Sequence, residues 1–331
     1  MIEFHTKHRH ALFLLVGISL PSPFVQADPV GDWKAKLNAV KVERFVGAPG
    51  YCEGPSWRDG ELIFCSTGLL RVARDRTLHR YLDVSPAGTY LLTNGHLLIC
   101  DNKLPALLDL APDGKVGVVV ERIERKKLNS LNDVTVDRDG NVYWTDPSGS
   151  SREHPIGCIF RVTPEGTVTR LADDLAFPNG LEVDPDNRYL YVIESRTAKV
   201  LRYDLPARGK PLGKPIVFFA LGGSGGDGCA FDAAGNFWIA DFHRADTKRG
   251  RITILNPQAH VLGYLPIPAG QVSNLTFGGQ QYNELFVTTG DPAAVFHARV
   301  GVPGFKGFPA KPLKILRHLD LKPLDEPLPS K

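Results

Sequence analysis

The 331-residue sequence has little net charge and few features of a membrane protein or a zinc-finger protein. Its 39 Lys and Arg residues nearly balance 36 Asp and Glu residues, a formal net charge of +3, so the basic excess that indicates nucleic-acid binding is missing. The apolar run at residues 11–20 is too short to span a bilayer, which takes about 20 residues. No His and Cys cluster has the spacing of a zinc site. The sequence therefore gives no indication of a nucleic-acid-binding domain, a membrane span or a zinc module.

The first 27 residues follow the order of a secretory signal peptide. A basic start containing Lys7 and Arg9 precedes the apolar run, and small residues end at Ala27. We expect cleavage before Asp28 and an exported, periplasmic or secreted protein without membrane attachment. An uncleaved anchor is the alternative, but Pro21 interrupts the apolar run early.

Five cysteines leave at least one unpaired if the others form disulfides. Folding the chain about Gly60 brings Cys52 almost opposite Cys65 on neighbouring strands. A disulfide between them in an oxidising compartment, or two separate buried thiols, are the two alternatives that remain open.

A β-hairpin pattern recurs along the chain. Each copy has a polar start, a short apolar run, a turn and a second apolar run, which is typical of two paired strands. The copies start at intervals of 36 to 48 residues, at Glu53, Thr89, Asn132, Asn179, Asp227 and Asn274. This period is typical of four-stranded propeller blades. The sequence therefore predicts an all-β fold, a six-bladed β-propeller with four-stranded blades.

The sixth repeat has only three strand-like runs. The segment VERFVG at residues 42–47 has no hairpin partner nearby, so we expect it to supply the fourth strand and close the ring. The predicted organisation is a signal peptide at 1–27, a linker at 28–41, the propeller at 42–300 and a tail over its rim at 301–331.

Four repeats carry a carboxylate or amide at the same position: Glu53, Asn132, Asn179 and Asp227. The equivalent position near Gly88 has no ligand side chain, and Asn274 aligns more loosely. The first strand of each blade lines the central channel, so these side chains are expected to converge there. Two carboxylates and two amides suit Ca²⁺ or, with more water, Mg²⁺ or Mn²⁺. Any one of them alone is explained as well by a turn, but four at one repeat position favour a metal site.

Several motifs resemble the gluconolactonase/regucalcin (senescence marker protein) family. They are EGPSW at Glu53, LNDVTVDRDGNVYWTD at Leu131, FPNGLEVDPDNRYLYV at Phe177, DGCAFDAAGNFWIAD at Asp227 and SNLTFGG at Ser273. The resemblance covers residues 42–300 and implies a propeller that hydrolyses lactones with one divalent cation, Ca²⁺ first and Mg²⁺, Mn²⁺ or Zn²⁺ as alternatives. It also implies Glu53, Asn179 and Asp227 as metal ligands, Asn132 as a substrate-facing amide and Asp227 as general base.

Two departures from the family bear on the substrate. Ser130 stands where sugar-lactonase members often have Arg, and Cys229 belongs to a segment GDGC that usually reads PDGL. We expect a small-molecule substrate, a sugar-acid lactone. A phosphotriesterase-like activity at the same metal and a non-catalytic calcium-binding or ligand-binding propeller are the alternatives. The G-x-S-x-G match at residues 222–226 is interpreted as a loop, because a hairpin and not a helix follows it.

Overall fold

The computed structural model describes residues 29–147, 149–205, 212–243 and 249–329. The predicted signal peptide lies outside these residues. The described chain forms six antiparallel sheets around a central channel, which confirms the predicted six-bladed propeller. No helix in the described ranges is long and apolar enough to cross a membrane.

The chain enters the propeller through helix α1 (Pro29–Asn38) and strand β1 (Val42–Gly47). Asp32 in the first turn of α1 and Lys36 in its last turn complement the helix dipole. Trp33 and Leu37 are four residues apart and therefore share one face of the helix. That face packs on the fifth blade, where the Trp33 and Trp238 rings lie edge to face at 5.9 Å.

The first three blades follow in chain order. Blade one contains β2 (Glu53–Arg58), β3 (Glu61–Cys65), β4 (Leu69–Val72) and β5 (Leu78–Leu82). Blade two contains β6 (Pro86–Leu91), β7 (Leu97–Asp101), β8 (Ala106–Leu110) and β9 (Val116–Val120). A small hairpin, β10 (Arg122–Ile123) and β11 (Lys126–Lys127), precedes blade three, which contains β12 (Val134–Val136), β13 (Val142–Asp146), β14 (Gly157–Val162) and β15 (Val168–Leu175).

The remaining blades repeat the same order. Blade four contains β16 (Pro178–Val183), β17 (Tyr189–Glu194), the 3₁₀ turn Ser195–Thr197, β18 (Lys199–Asp204) and β19 (Ile216–Ala220). Blade five contains β20 (Gly226–Phe231), β21 (Phe237–Asp241), β22 (Arg251–Leu255) and β23 (Val261–Pro266). Blade six contains β24 (Gly270–Gly278), β25 (Glu284–Asp291) and β26 (Ala293–Arg299).

Strand β1 closes the ring. It pairs antiparallel with β26, with Val42 opposite Ala298 and Gly47 opposite Ala294. Blade six therefore has four strands in the order β1, β26, β25, β24. The predicted closure by residues 42–47 is confirmed.

The hydrophobic core lies between neighbouring blades. The described residues form six buried clusters, and each draws its side chains from two adjacent blades. Leu97 and Ile99 of blade two, for example, share a cluster with Ile63 of blade one. Because a blade is a sheet with two apolar faces, every blade needs both neighbours, and the ring folds as one unit.

The C-terminal tail adds strands that the sequence pattern did not predict. Strand β27 (Arg317–Leu319) pairs with β9, and β28 (Glu326–Pro327) pairs with β5, so blades two and one have five strands. Before this, the tail crosses the end of the channel where the inner strands finish. There the Gly304 amide bonds to the Tyr282 carbonyl at 2.8 Å and the Phe305 amide to the Phe231 carbonyl at 3.0 Å. We call this end the rear of the channel and the opposite end, where the inner strands begin, the front.

Candidate active site in the central channel

The predicted site residues lie at the front of the channel, where the inner strands begin. Asn179 and Asp227 occupy the same position in their hairpins, because Pro178 pairs with Glu194 just as Gly226 pairs with Asp241. Glu53 lies one residue earlier, since Glu53 itself pairs with Cys65 in the equivalent place. The repeat alignment gave all of these residues one position, so the alignment is off by one residue at Glu53.

A glycine follows each of Asn179 and Asp227 because the inner strands crowd together at the channel axis. A Cβ on Gly180 would lie 2.4 Å from the Asp227 carbonyl oxygen, and a Cβ on Gly228 would lie 2.1 Å from the Asn274 side chain. Contacts this short do not occur between real Cβ atoms and their neighbours. The Asn-Gly and Asp-Gly pairs therefore let adjacent blades approach closely enough for their polar side chains to meet.

Ser195 orients the Asn179 amide. Asn179 Nδ2 donates to Ser195 Oγ at 3.1 Å, and Ser195 Oγ donates to the Gly226 carbonyl at 2.7 Å. Asn179 is also within hydrogen-bonding range of the Asp227 carboxylate, whose pKa it lowers against the larger, opposite effect of burial. Blade four and blade five are thus tied together at the candidate ligands.

Tyr51 reaches Asp227 across the channel mouth. Its hydroxyl donates to Asp227 Oδ2 at 3.3 Å, while the residue stays 43% exposed. The ring packs against blade six, where a Cβ on Gly290 would be 2.3 Å from Tyr51 Cδ2. Tyr51 precedes β2 and has no place in the repeat pattern, which is why sequence reasoning missed it.

Asn274 links Glu53 to a third carboxylate, Asp133. Asn274 Nδ2 lies 3.3 Å from Glu53 Oε2 and 3.3 Å from Asp133 Oδ2. Its own oxygen is held by the Leu275 amide at 2.8 Å. Asp133 was not identified from the sequence, although it follows Asn132 directly.

Asn132 lies beside this network on blade three and is half-buried. Its backbone amide donates to the Thr145 carbonyl at 2.9 Å. The preceding loop is fixed by Asp146, which accepts hydrogen bonds from the Asn129 and Ser130 amides at 3.3 and 3.2 Å. Asp146 therefore binds backbone amides, and the loop that it fixes leads into Asn132 at the channel mouth.

Burial dominates the electrostatics of the three carboxylates. It raises the pKa of Asp227 to about 7 and that of Asp133 to about 6. It also raises the pKa of Glu53 well above its usual range, with the Asp227 and Asp133 charges as further causes. Among the described residues, no Lys, Arg or His is a cause of these shifts. Three buried acids without a compensating cation favour an added positive charge in this channel.

The available donors are hard oxygen atoms. Within the described ranges no three His, Cys, Asp or Glu side chains form a metal-binding group. The candidate set is two carboxylates and one amide, Glu53, Asp227 and Asn179, to which waters and substrate would add ligands. That chemistry fits Ca²⁺ or Mg²⁺ better than a soft metal.

The cysteines near the site are separate thiols. Cys52 and Cys65 are both free and buried, and Glu53 rather than Cys52 pairs with Cys65. Of the two alternatives for this pair, the structure shows the unlinked one. Burial raises the pKa of the Cys52 thiol to about 12, so it is held neutral. Cys229 is buried behind Asp227 and its pKa is likewise raised by burial, which makes it a packing residue.

Comparison with known proteins decides the family. The model of the SMP-30/Gluconolactonase/LRE-like region matches residues 51–291. The chain belongs to this family. It is 30% identical over 189 residues to a 6-deoxy-6-sulfogluconolactonase of Pseudomonas putida, a match that covers 53% of this chain and 63% of that protein. It is 28% identical over 289 residues to a gluconolactonase of Zymomonas mobilis, covering 76% of this chain and 79% of the relative.

A solved structure agrees with this family assignment. The gluconolactonase of Xanthomonas campestris superposes with a TM-score of 0.69 at 25% identity, over 81% of this chain and 91% of that one. The family match begins at residue 51 and ends at 291. It therefore contains Tyr51, Glu53, Asn179 and Asp227 but not β1 or the tail.

Proposed function

We propose that the protein is a metal-dependent lactonase acting on a sugar-acid lactone. The observation that carries the proposal is the convergence of Glu53, Asn179 and Asp227 from three blades on one channel mouth. The family match contains all three, and relatives named gluconolactonase and sulfogluconolactonase support a lactone as the substrate class.

Glu53, Asn179 and Asp227 would hold the divalent cation, Ca²⁺ in the first place. When bound, the cation supplies a Lewis acid for the lactone carbonyl oxygen. It would also neutralise the buried carboxylates that otherwise raise one another's pKa. The fit of the residues to a cation thus rests on their oxygen chemistry and on the uncompensated negative charge around Asn274.

Asp227 is the proposed general base. In hydrolysis it takes a proton from the attacking water, whose oxygen forms the new bond to the carbonyl carbon. The ring C–O bond then breaks and the departing ring oxygen receives the proton, which gives a hydroxy acid and restores the carboxylate. The Tyr51 hydroxyl fixes Oδ2 of this carboxylate, so the lone pair that accepts the proton has a defined direction. Asn132 at the mouth is the proposed substrate-binding amide.

One assay separates this function from its alternatives. Purified protein treated with EDTA should lose hydrolysis of a lactone panel that includes gluconolactone, and Ca²⁺, Mg²⁺, Mn²⁺ or Zn²⁺ should restore it to different extents. Turnover of a phosphotriester without lactones would favour the phosphotriesterase alternative. Binding of Ca²⁺ with no turnover of either class would favour a binding propeller and overturn the proposal.

We also propose that the mature protein is exported and begins at Asp28. The order of basic, apolar and small residues in the first 27 positions supports this. Mass spectrometry of protein recovered from its native host tests the proposal, and an intact Met1 terminus on the exported protein would contradict it.

A further inference from the structure

A cavity lies in the rear half of the channel, behind the candidate active site. Its volume is about 80 Å³, and it is lined by inner-strand residues, including Asp133 and Asn274 of the front network, and by tail residues 305–307. A water molecule needs about 10–15 Å³ by this measure, so the cavity has room for several waters or one small solute. The family match ends at residue 291 and so does not include the tail wall.

Glu182 is one of the two carboxylates that line this cavity, and Asp133 is the other. It accepts hydrogen bonds from the Thr135 hydroxyl at 2.5 Å and from the Val183 amide at 3.2 Å. No Lys, Arg or His of the described chain is a cause of its pKa shift, and the other charge that acts on it is that of Asp133. A carboxylate in a small cavity with only two neutral hydrogen-bond donors favours a proton or a cation as a further partner.

Aromatic side chains surround Glu182 and favour the cation. Tyr90 and Tyr282 lie close enough for the Glu182 charge to raise the pKa of both hydroxyls, although burial is the larger cause. Trp57 and Phe305 contribute further to the lining. Aromatic faces attract ammonium groups, the more so where water is excluded.

One contact within the chain already places an ammonium group against the Tyr282 ring. Lys306, on the tail at the edge of the cavity, places Nζ 5.6 Å from the centre of the Tyr282 ring. The Lys306 side chain is exposed, however, and it is not among the causes of the Glu182 pKa shift. The interior of the cavity is therefore left without a positive charge from the described residues.

We propose that the rear cavity binds a small organic ammonium ion, of the size of methylammonium, between Glu182 and the rings of Tyr90 and Tyr282. A hard divalent cation requires six or more oxygen ligands, whereas an ammonium ion can use the ring faces as well as the carboxylate. The tail completes the site. Gly307 approaches so closely that a Cβ there would lie 2.9 Å from the Tyr90 hydroxyl. The inference does not depend on the proposed lactonase activity, since Glu182, Tyr90 and Tyr282 have no role in it, although Asp133 and Asn274 line this cavity as well as the front network.

Isothermal titration calorimetry with methylammonium chloride at pH 9, where Glu182 is ionised because its pKa is about 8, tests the site, with sodium chloride at the same ionic strength as the reference and EDTA present to empty the front site. We expect saturable binding of methylammonium and none of Na⁺. Equal responses to the two salts, or no saturable response to methylammonium, would overturn the proposal.

Three variants locate the binding. Glu182→Gln keeps the shape and should weaken methylammonium binding by at least about tenfold, because one partner of a desolvated charge pair is lost. Tyr282→Leu should weaken it by a few-fold, about the cation–π contribution. Lys306→Ala should instead tighten binding by about two- to fivefold, because it removes a like charge from the rim. A merely structural role of Lys306 would not produce that opposite sign.

The front site supplies the matched control. Glu53→Gln keeps an oxygen acceptor for Asn274, which lines the rear cavity, and should bind methylammonium as the parent does. Binding that is unchanged in Glu182→Gln, or lost equally in Glu53→Gln, would contradict the assignment. If Glu182→Gln does not fold, the other two variants still decide the question, because Tyr282→Leu should weaken methylammonium binding and Lys306→Ala should strengthen it.

Discussion

The Tyr51 hydroxyl donates a hydrogen bond of 3.3 Å to Asp227 Oδ2, which joins the chain segment before blade one to the inner strand of blade five. One carboxylate oxygen of the proposed base is thereby fixed across the mouth of the channel. The Tyr51 side chain can occupy this position only because Gly290 has no Cβ, which would collide with the aromatic ring. Tyr51 is therefore a positioning residue for the proposed reaction.

Tyr51→Phe should lower kcat by about tenfold, because a hydrogen bond to a charged group is worth roughly 1.5–3 kcal/mol and only part of that is expressed in turnover. KM should change less, since the hydroxyl acts through Asp227 and not on the substrate. Steady-state kinetics at saturating metal measure both constants. Tyr264→Phe is a matched control, because Tyr264 is also 43% exposed but lies on the outer strand of blade five. Equal kinetics for the two variants would show that the Tyr51 hydroxyl has no part in turnover.

Glu182 should make the stability of the fold depend on pH. Burial raises its pKa to about 8 from the ordinary glutamate value of 4.5. Between these values the folded state holds a proton that the unfolded state has released, so the Glu182 contribution to stability falls as pH rises through this window. The Glu182→Gln variant lacks this loss. The parent should therefore lose stability relative to the variant as pH rises. The ratio of the unfolding equilibrium constant of the variant to that of the parent should decrease by at least about tenfold from pH 5 to pH 8, since each unit of pKa difference corresponds to a factor of ten.

Denaturant unfolding of the two proteins at a series of pH values, in a buffer free of ammonium ions, measures this difference. Asp227 titrates in both proteins and cancels in the comparison, whereas the Asp133 charge raises the pKa of Glu182 and therefore contributes to the difference. Parallel stability curves for parent and variant would mean that Glu182 is not desolvated in the fold.

Strand β1 should contribute much of the stability of the ring. Its removal exposes the edge of β26 and the Phe286 ring, which Phe45 of β1 covers at a centroid distance of 5.1 Å. Loss of a buried Phe side chain alone costs about 3–5 kcal/mol. Each kcal/mol moves Tm by about 2–4 °C in a chain of this size class. A protein that starts after residue 47 should melt at least about 10 °C below the parent.

A protein that starts after residue 38 is the control, because it loses α1 but keeps β1. Differential scanning calorimetry of the three proteins gives the comparison. Two truncated proteins with the same Tm would assign the stability to α1 instead of to ring closure.

The fold was predictable because it repeats. Six hairpins that each begin with a polar residue predicted six blades. The sixth repeat lacks one strand, which predicted that Val42–Gly47 supplies it, and the structure confirms this pairing. The tail has no such signal. Its strands have three and two residues and are flanked by prolines, so their pairing depends on the edges of β9 and β5 that they cover.

The candidate site was predictable only in part. Its residues lie where the inner strands do not alternate their side chains regularly between the two faces of the sheet. Five of the six inner strands have a register shift near their start, as between Pro178 and Leu181 or between Gly226 and Cys229. A bulge there breaks strict alternation of side chains between the two faces. Asn274 lies at such a shift, which follows Val272, whereas Asp133 lies just before β12, where the pairing is regular. No alternation rule would have placed Asn274 beside Glu53.

The central claim is that Asp227 both binds the cation and accepts the proton, whereas Glu53 only binds. The decisive measurement is kcat on a good lactone substrate at saturating metal for Asp227→Asn, with Glu53→Gln measured beside it. Asp227→Asn keeps an oxygen ligand but loses the basic lone pair, so kcat should fall by about 10²- to 10⁴-fold, while excess metal largely restores Glu53→Gln. An Asp227→Asn protein that is fully loaded with metal and turns over within about threefold of the parent would contradict the account.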